Sequence, residues 1–353
     1  MATIKILDTG RIDERESAFP MSVQLKNGDL LCSFGVGGGA LITGQTEYAR
    51  SKDRGKTWER CGVVLAKDVT NGRANALKLT QSADQEIVYA YGSWASDIVT
   101  DGFGKRDMQP LLCQSTDQGN SWSNAQQIAF PESCPYEVSH GLLPLESGRL
   151  LVPAATLSAP DRLGERVYLG VSDDNGESWN YVVPFHDTTG QYGYWEQKFA
   201  EYASQQLLGV CWTVTLGDYR DVHNTFVISP DGGETWSPPA DTGIRGQTMT
   251  PIPLGGNRLL VLYNKRLGDQ AIKQCLVTFT DDAWTIHHES ILYDAHSFYQ
   301  QSDDEGTGAD VLDDFAFGFP TGIVLDDGTI LTTHWCHEGG HCGIRWTRLQ
   351  INW

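Results

Sequence analysis

Ser172-Asp173-Asp174-Asn175-Gly176-Glu177-Ser178-Trp179 decides the architecture, because its pattern stands at three other places in the chain. Ser51-Lys52-Asp53-Arg54-Gly55-Lys56-Thr57-Trp58, Ser115-Thr116-Asp117-Gln118-Gly119-Asn120-Ser121-Trp122 and Ser229-Pro230-Asp231-Gly232-Gly233-Glu234-Thr235-Trp236 share the form S-x-D-x-G-x-[ST]-W. Their opening serines lie 64, 57 and 57 residues apart, and a shortened echo follows at Thr280-Asp281-Asp282-Ala283-Trp284. So regular a recurrence marks a repeat architecture. An Asp, a hydroxyl and a Trp resemble a sugar site, but the same groups serve a hairpin turn better. The carboxylate accepts backbone N–H bonds, the Gly supplies positive φ, and the indole covers the flank.

A second punctuation, a turn followed by an aliphatic strand, runs in step with the first. It occurs at Asn27-Gly28-Asp29-Leu30-Leu31, Glu86-Ile87-Val88, Gly148-Arg149-Leu150-Leu151, Gln206-Leu207-Leu208, Asn257-Arg258-Leu259-Leu260 and Asp327-Gly328-Thr329-Ile330-Leu331. From Leu30 to Ile330 is 300 residues over five intervals, a mean of 60, so the chain holds six units. Each reads as short β-branched and aromatic strands between Asn, Asp, Gly and Ser turns, with no sustained helical period. Units of about four strands cannot bury both faces alone and gain a continuous core by packing in a ring. The expectation is an all-β, six-bladed propeller forming a single domain over residues 1–353. Thr3–Leu7 should supply the outermost strand of the last blade, closing the ring against Ile344–Ile351.

Composition narrows the function. The 353 residues carry 26 Lys and Arg against 45 Asp and Glu, a formal net charge of −19, which repels a phosphate backbone and argues against nucleic acid. No apolar run approaches the ~18–20 residues of a membrane span. The opening Met1-Ala2-Thr3-Ile4-Lys5 lacks an apolar secretory core, so a cytoplasmic location is expected, with a trimmed secreted form left open. Eight cysteines without a CxxC motif form neither a disulfide scaffold nor a zinc ribbon. His334-Trp335-Cys336-His337-Glu338-Gly339-Gly340-His341-Cys342 has the ligand types of a metal site. However, Glu338–His341 reads as a tight hairpin whose alternation sends neighbouring side chains to opposite faces. No metal or cofactor is therefore expected, and oligomeric state stays open.

The four boxes and six units resemble the sialidase (neuraminidase) superfamily, whose Asp-box or BNR repeats have this consensus and whose fold is a six-bladed propeller. The resemblance implies an exo-acting glycosidase with three arginines gripping a sugar carboxylate, a tyrosine nucleophile supported by a glutamate, and an aspartate acid/base. Tyr194-Trp195-Glu196 fits the glutamate. Ala18 stands where the first family arginine would, Trp212 falls near the second, and Phe317-Gly318-Phe319-Pro320 opens the last inner strand without a tyrosine. Three groups of that machinery thus have no counterpart, so the fold carries over more readily than the mechanism.

The residues themselves suggest a pocket on the face opposite the boxes, where loops enter each inner strand. Glu196, after two aromatics, is placed in an apolar setting suited to a general acid. Asp97 is the aspartate best positioned to partner it, and His140, before Gly141, is a candidate base. Arg73, Arg245 and Arg266 come from different blades and together suit an anionic sugar. Tyr194, Trp195, Gln247, His223 and His334 complete the expected substrate contacts, with Glu137, Asp313 and Asp314 nearby. The expected activity is exo-acting hydrolysis of an acidic sugar or oligosaccharide, with carbohydrate as the partner. Elimination across a uronic acid is the alternative enzyme class, and a non-catalytic glycan-binding propeller is the third.

Overall fold

A computed structural model describes residues 2–98, 106–295 and 316–353. Six antiparallel sheets account for the described strands. Their inner strands are Ser17–Gln24, Arg73–Gln81, the interrupted pair Tyr136–Glu137 and Leu143–Pro144, Tyr192–Ala203, Gln247–Pro253 and Phe317–Val324. Three further strands step outward from each, so the sheets are the six blades of a propeller. Among the described residues the helical content is one short 3-10 turn, Gly39–Leu41, and no helix is long and apolar enough to cross a membrane.

The ring closes as the sequence implies, over a longer stretch. Thr3–Asp13 pairs antiparallel with His341–Asn352, from Thr3 opposite Asn352 to Asp13 opposite Ile344. The first strand in sequence is thereby the outermost strand of the last blade, and the two ends of the described chain are hydrogen-bonded together. The hairpin at the far end of that blade pairs Glu338 with His341, with Gly339 and Gly340 at φ 62° and 88° as a two-residue turn.

Inner and middle strands are buried on both faces, because each sheet is flanked by two others. Leu145, Leu151, Val167, Phe185 and Phe199 fuse blades three and four, and Leu208, Phe226, Met249, Leu259 and Val277 fuse blades four and five. The four S-x-D-x-G-x-[ST]-W turns stand between third and outer strands, and in each the Asp and Ser side chains satisfy the turn's backbone N–H groups. In the first, Ser51 Oγ donates to Asp53 Oδ1 at 2.8 Å, Gly55 N–H to Ser51 Oγ at 2.7 Å, and Thr57 N–H to Asp53 Oδ1 at 2.9 Å. Trp58 Nε1 reaches Gly55 O at 2.9 Å. Ser115, Ser172 and Ser229 open the same bond pattern.

Candidate functional site

Four inner strands carry the same irregularity near their entrance. Phe19, Glu196, Thr248 and Phe319 have φ of 58°, 49°, 53° and 52°. Each lies where strand register slips, between Ala18 and Met21, Trp195 and Lys198, Gln247 and Thr250, and Gly318 and Thr321. A bulge re-aims a side chain that strict alternation would send elsewhere, and an L residue at positive φ stores ~1–2 kcal/mol of strain. Strain repeated in blades one, four, five and six around one axis is a mark of a functional site.

Contacts that draw together blades one, two, four and six locate that axis. Phe19 and Phe319 meet edge to face at 5.5 Å. Lys78 Nζ, from blade two, lies 5.7 and 5.6 Å from their ring centroids, and Lys198 Nζ, from blade four, lies 4.4 Å from Phe319. Lys198 donates to Thr250 Oγ1 at 2.6 Å and to Pro320 O at 3.4 Å, and Lys78 donates to Val138 O at 2.8 Å. Above them, Glu196 N–H donates to Glu137 Oε2 at 3.2 Å, and Arg266 Nη2 stands 4.0 Å from Glu196 Oε1. Gly318 makes room for this arginine: a Cβ there would lie 3.0 Å from Arg266 Nη2 and 3.2 Å from Asn264 Nδ2.

Burial sets the protonation of the cluster. Desolvation, with Glu196 adding repulsion, pushes the Glu137 carboxyl up to about 8, so it is mostly neutral at pH 7. Desolvation pulls the Lys78 amine down to about 8 and the Lys198 amine to about 7, against the pull of the nearby carboxylates. Arg266 is held by a second chain of bonds. Its N–H donates to Gln247 Oε1 at 3.0 Å, Gln247 Nε2 donates to Asp221 Oδ2 at 2.7 Å, and Trp212 Nε1 to Asp221 Oδ1 at 2.8 Å. Among the described residues, Glu196 Oε2, Thr248 Oγ1, the Asn264 amide and Trp335 Nε1 are buried without a partner. Glu196, Asn264 and Trp335 stand around Arg266 and Gly318, which fits a polar ligand site.

The sequence-derived candidates divide. Glu196 and Arg266 come together at the axis, with Gln247 behind Arg266 as its support. His140 lies close enough to both lysines to feel them; burial chiefly, and Lys198 next, push its imidazole down to about 3. Its Nδ1 lies 3.2 Å from Gly141 O. Asp97 instead pairs with Lys67 at 2.9 Å and accepts no contact from Glu196, whose facing carboxylate is Glu137. Arg73 stacks 4.1 Å over Trp94 in blade two, Arg245 is exposed, and His223 pairs with Asp241 at 2.9 Å on the surface.

Three expectations need correction. Tyr194 packs on Phe185 in the core of blades three and four. Trp195 is 2% exposed, crosses Trp212 edge to face at 4.9 Å and donates to Leu163 O at 2.8 Å. Both are spent on packing, since an inner strand is covered on both faces and the bulge turns only Glu196 to the axis. His334 lies in the crevice between blades five and six, 4.9 Å from the Tyr293 ring, because alternation turns Trp335 to the opposite face of the sheet, against Ala18 and Phe34 of blade one. Asp313 and Asp314 lie outside the described residues. Lys78, Lys198 and Asp221 are the groups sequence reasoning passed over. Lys78 had a signal, as a lone cation inside the apolar run Ala76-Leu77-Lys78-Leu79, whereas Lys198 stands after Glu196-Gln197 and had none.

No protein-family model matches the chain, and no curated protein matches it. Solved structures do. A protein of unknown function from Dyadobacter fermentans superposes with a TM-score of 0.78 at 21% identity, over 99% of each chain. The intramolecular trans-sialidase from Ruminococcus gnavus, in complex with oseltamivir carboxylate, gives 0.67 at 14% identity over 94% of each. Trypanosoma rangeli sialidase with the inhibitor DANA gives 0.65 at 13% identity, over 98% of this chain and 60% of that one. At such identities the likeness shows the fold: this chain is a six-bladed propeller of the sialidase-like kind.

Proposed function

We propose that the chain is a carbohydrate-active enzyme, an exo-acting glycoside hydrolase that removes a terminal acidic sugar, with its reaction centre at Glu196. The observation that carries this is the Glu196 carboxylate, turned to the axis by a strained bulge and set between Arg266 and Glu137 with one oxygen unpartnered. Glycoside hydrolysis needs one carboxyl to protonate the leaving oxygen and one carboxylate to assist attack at the anomeric carbon. Burial that raises one of two neighbouring carboxyls supplies the proton donor. Glu137, neutral at pH 7, is the proton donor, and Glu196, beside a guanidinium, is the carboxylate. Arg266, Lys78 and Lys198 give the site a positive floor suited to an anionic sugar despite the acidic whole.

The elimination reading has less support: the Lys198 amine, brought to about 7, is wholly buried against Thr250 Oγ1 and Pro320 O, and His140 near 3 is a weak base. Incubation with sialosides, uronate oligosaccharides and aryl glycosides, followed by mass spectrometry and near-ultraviolet absorbance, separates the readings. Hydrolysis adds water to the products, and elimination leaves an unsaturated uronate that absorbs. Turnover lost on Glu196→Gln in a protein of unchanged melting temperature supports the proposal. Turnover of none of these classes sinks both enzymatic readings and leaves the glycan-binding one.

A further inference from the structure

A groove of about 600 Å³ runs over the pocket face between blades two and three. That volume falls within the ~300–1,000 Å³ of small-molecule sites. One wall is blade two, with Arg73 opening the inner strand, Trp94 on the second and Gln109 on the third. The other is the connection Phe130–Tyr136 that leads into blade three. Its inner end is Tyr136, and the next residue is Glu137, whose carboxylate meets Glu196 N–H. The same short strand, Tyr136–Glu137, thus borders both the groove and the axial site.

Its walls are already rigid. Tyr136 OH accepts from Glu132 N–H at 2.8 Å and donates to Glu132 O at 3.0 Å, tying the connection into a closed loop. Phe130 packs between Tyr136 and Tyr181, at 4.9 and 5.1 Å. Glu132 is fixed by Arg166 at 3.0 Å and by Tyr168 OH at 2.9 Å, which neutralises the one carboxylate of this wall. Across the groove the Arg73 guanidinium carbon lies 4.1 Å from the centre of the Trp94 ring, and Gln109 Nε2 donates to Asp107 Oδ1 at 3.3 Å. Arg166 offsets Glu132, while Arg73 and Asp107 put one charge of each sign on the opposite wall. What remains is a guanidinium backed by an indole and a set of amides and carboxylates that match hydroxyl groups. Walls ordered beforehand lower the cost of binding.

We propose that this groove holds neutral sugar units of an oligosaccharide whose terminal residue sits at Glu196, making the natural substrate a chain rather than a single sugar. Sugar hydroxyls pair with Gln109 and Asp107, and a pyranose face lies on the Arg73 guanidinium. The assignment rests on the carbohydrate reading of the axial site, but its test does not depend on turnover. Wild-type protein is titrated with lactose, cellotetraose and mannotetraose while the Trp94 indole N–H signal, assigned through Trp94→Phe, is followed by NMR. At least one of these sugars should shift that signal, and Arg73→Ala and Gln109→Ala should each weaken its binding roughly tenfold. Melting temperatures of both variants show whether each is folded, and two variants on separate strands guard against one failing. A Trp94 signal unmoved by all three sugars, or affinities unchanged in the folded variants, overturns the groove. Failure of the axial reading appears elsewhere, in the Glu196→Gln turnover comparison, and leaves this titration valid.

Discussion

The backbone N–H of Glu196 donates to the side-chain carboxylate of Glu137 at 3.2 Å, joining blade four to blade three at the entrance to the axis. A backbone group is thus committed to a buried carboxyl that is mostly protonated at neutral pH. The bond holds Glu196 in its left-handed conformation, where its side chain faces Arg266.

Glu196→Gln should lower turnover at least ~100-fold, the scale of a proton-transfer group, with the fold intact. Glu137→Gln tests the protonation of its neighbour. The folded value near 8 stands above the ordinary 4.5, so the wild-type contribution is present below about 4.5 and fades as pH rises through about 8. The variant's melting temperature should therefore gain on the wild type at pH 9 relative to pH 5. An equal difference at both would mean that Glu137 is ionised in the folded protein.

Lys198 carries the opposite sign. Its amine falls from 10.5 to about 7, so its contribution is complete above about 10.5 and is lost as pH drops through about 7. Lys198→Met keeps the stem and removes the buried charge. It should gain more in melting temperature at pH 7 than at pH 10, measured by circular dichroism.

The repeated turns make a separate prediction about acid. Hydrogen bonds from Thr57, Ser121 and Ser178 hold Asp53, Asp117 and Asp174 down at about 2, below the usual 3.8. A depressed carboxyl contributes above its unfolded value and loses that contribution as pH falls through the folded one, here between about 4 and 2. Replacing all three with Ala should flatten the wild type's loss of stability in that window. Asp231→Ala alone removes acceptors for Thr235 N–H and Glu234 N–H and should cost ~1–2 kcal/mol in urea unfolding, with turnover unchanged.

Trp195→Ala should cost ~3–5 kcal/mol of stability, since the indole is enclosed by Trp212 and Tyr219. Trp195→Phe should retain sugar binding at little cost to affinity. A selective loss of sugar affinity in a fully stable Trp195→Phe protein would restore the substrate contact that the packing argues against.

The period of the S-x-D-x-G-x-[ST]-W turns and the six aliphatic strand starts were enough for the propeller and its closure, because turn chemistry and strand alternation are local and are written residue by residue. Glu196 and Arg266 were legible as residues on one face of the ring because Glu196 lies near the entrance of its strand and Arg266 directly follows the end of another. Alternation could not tell that Tyr194 and Trp195 would be walled in while Glu196 was turned out, since the bulge between Trp195 and Lys198 depends on the neighbouring blades. Nor could it bring Lys78, Lys198 and Glu137, from three blades, within reach of one another. Their depressed or raised affinities for protons arise from burial and mutual charge, and both exist only once the blades have packed around the axis.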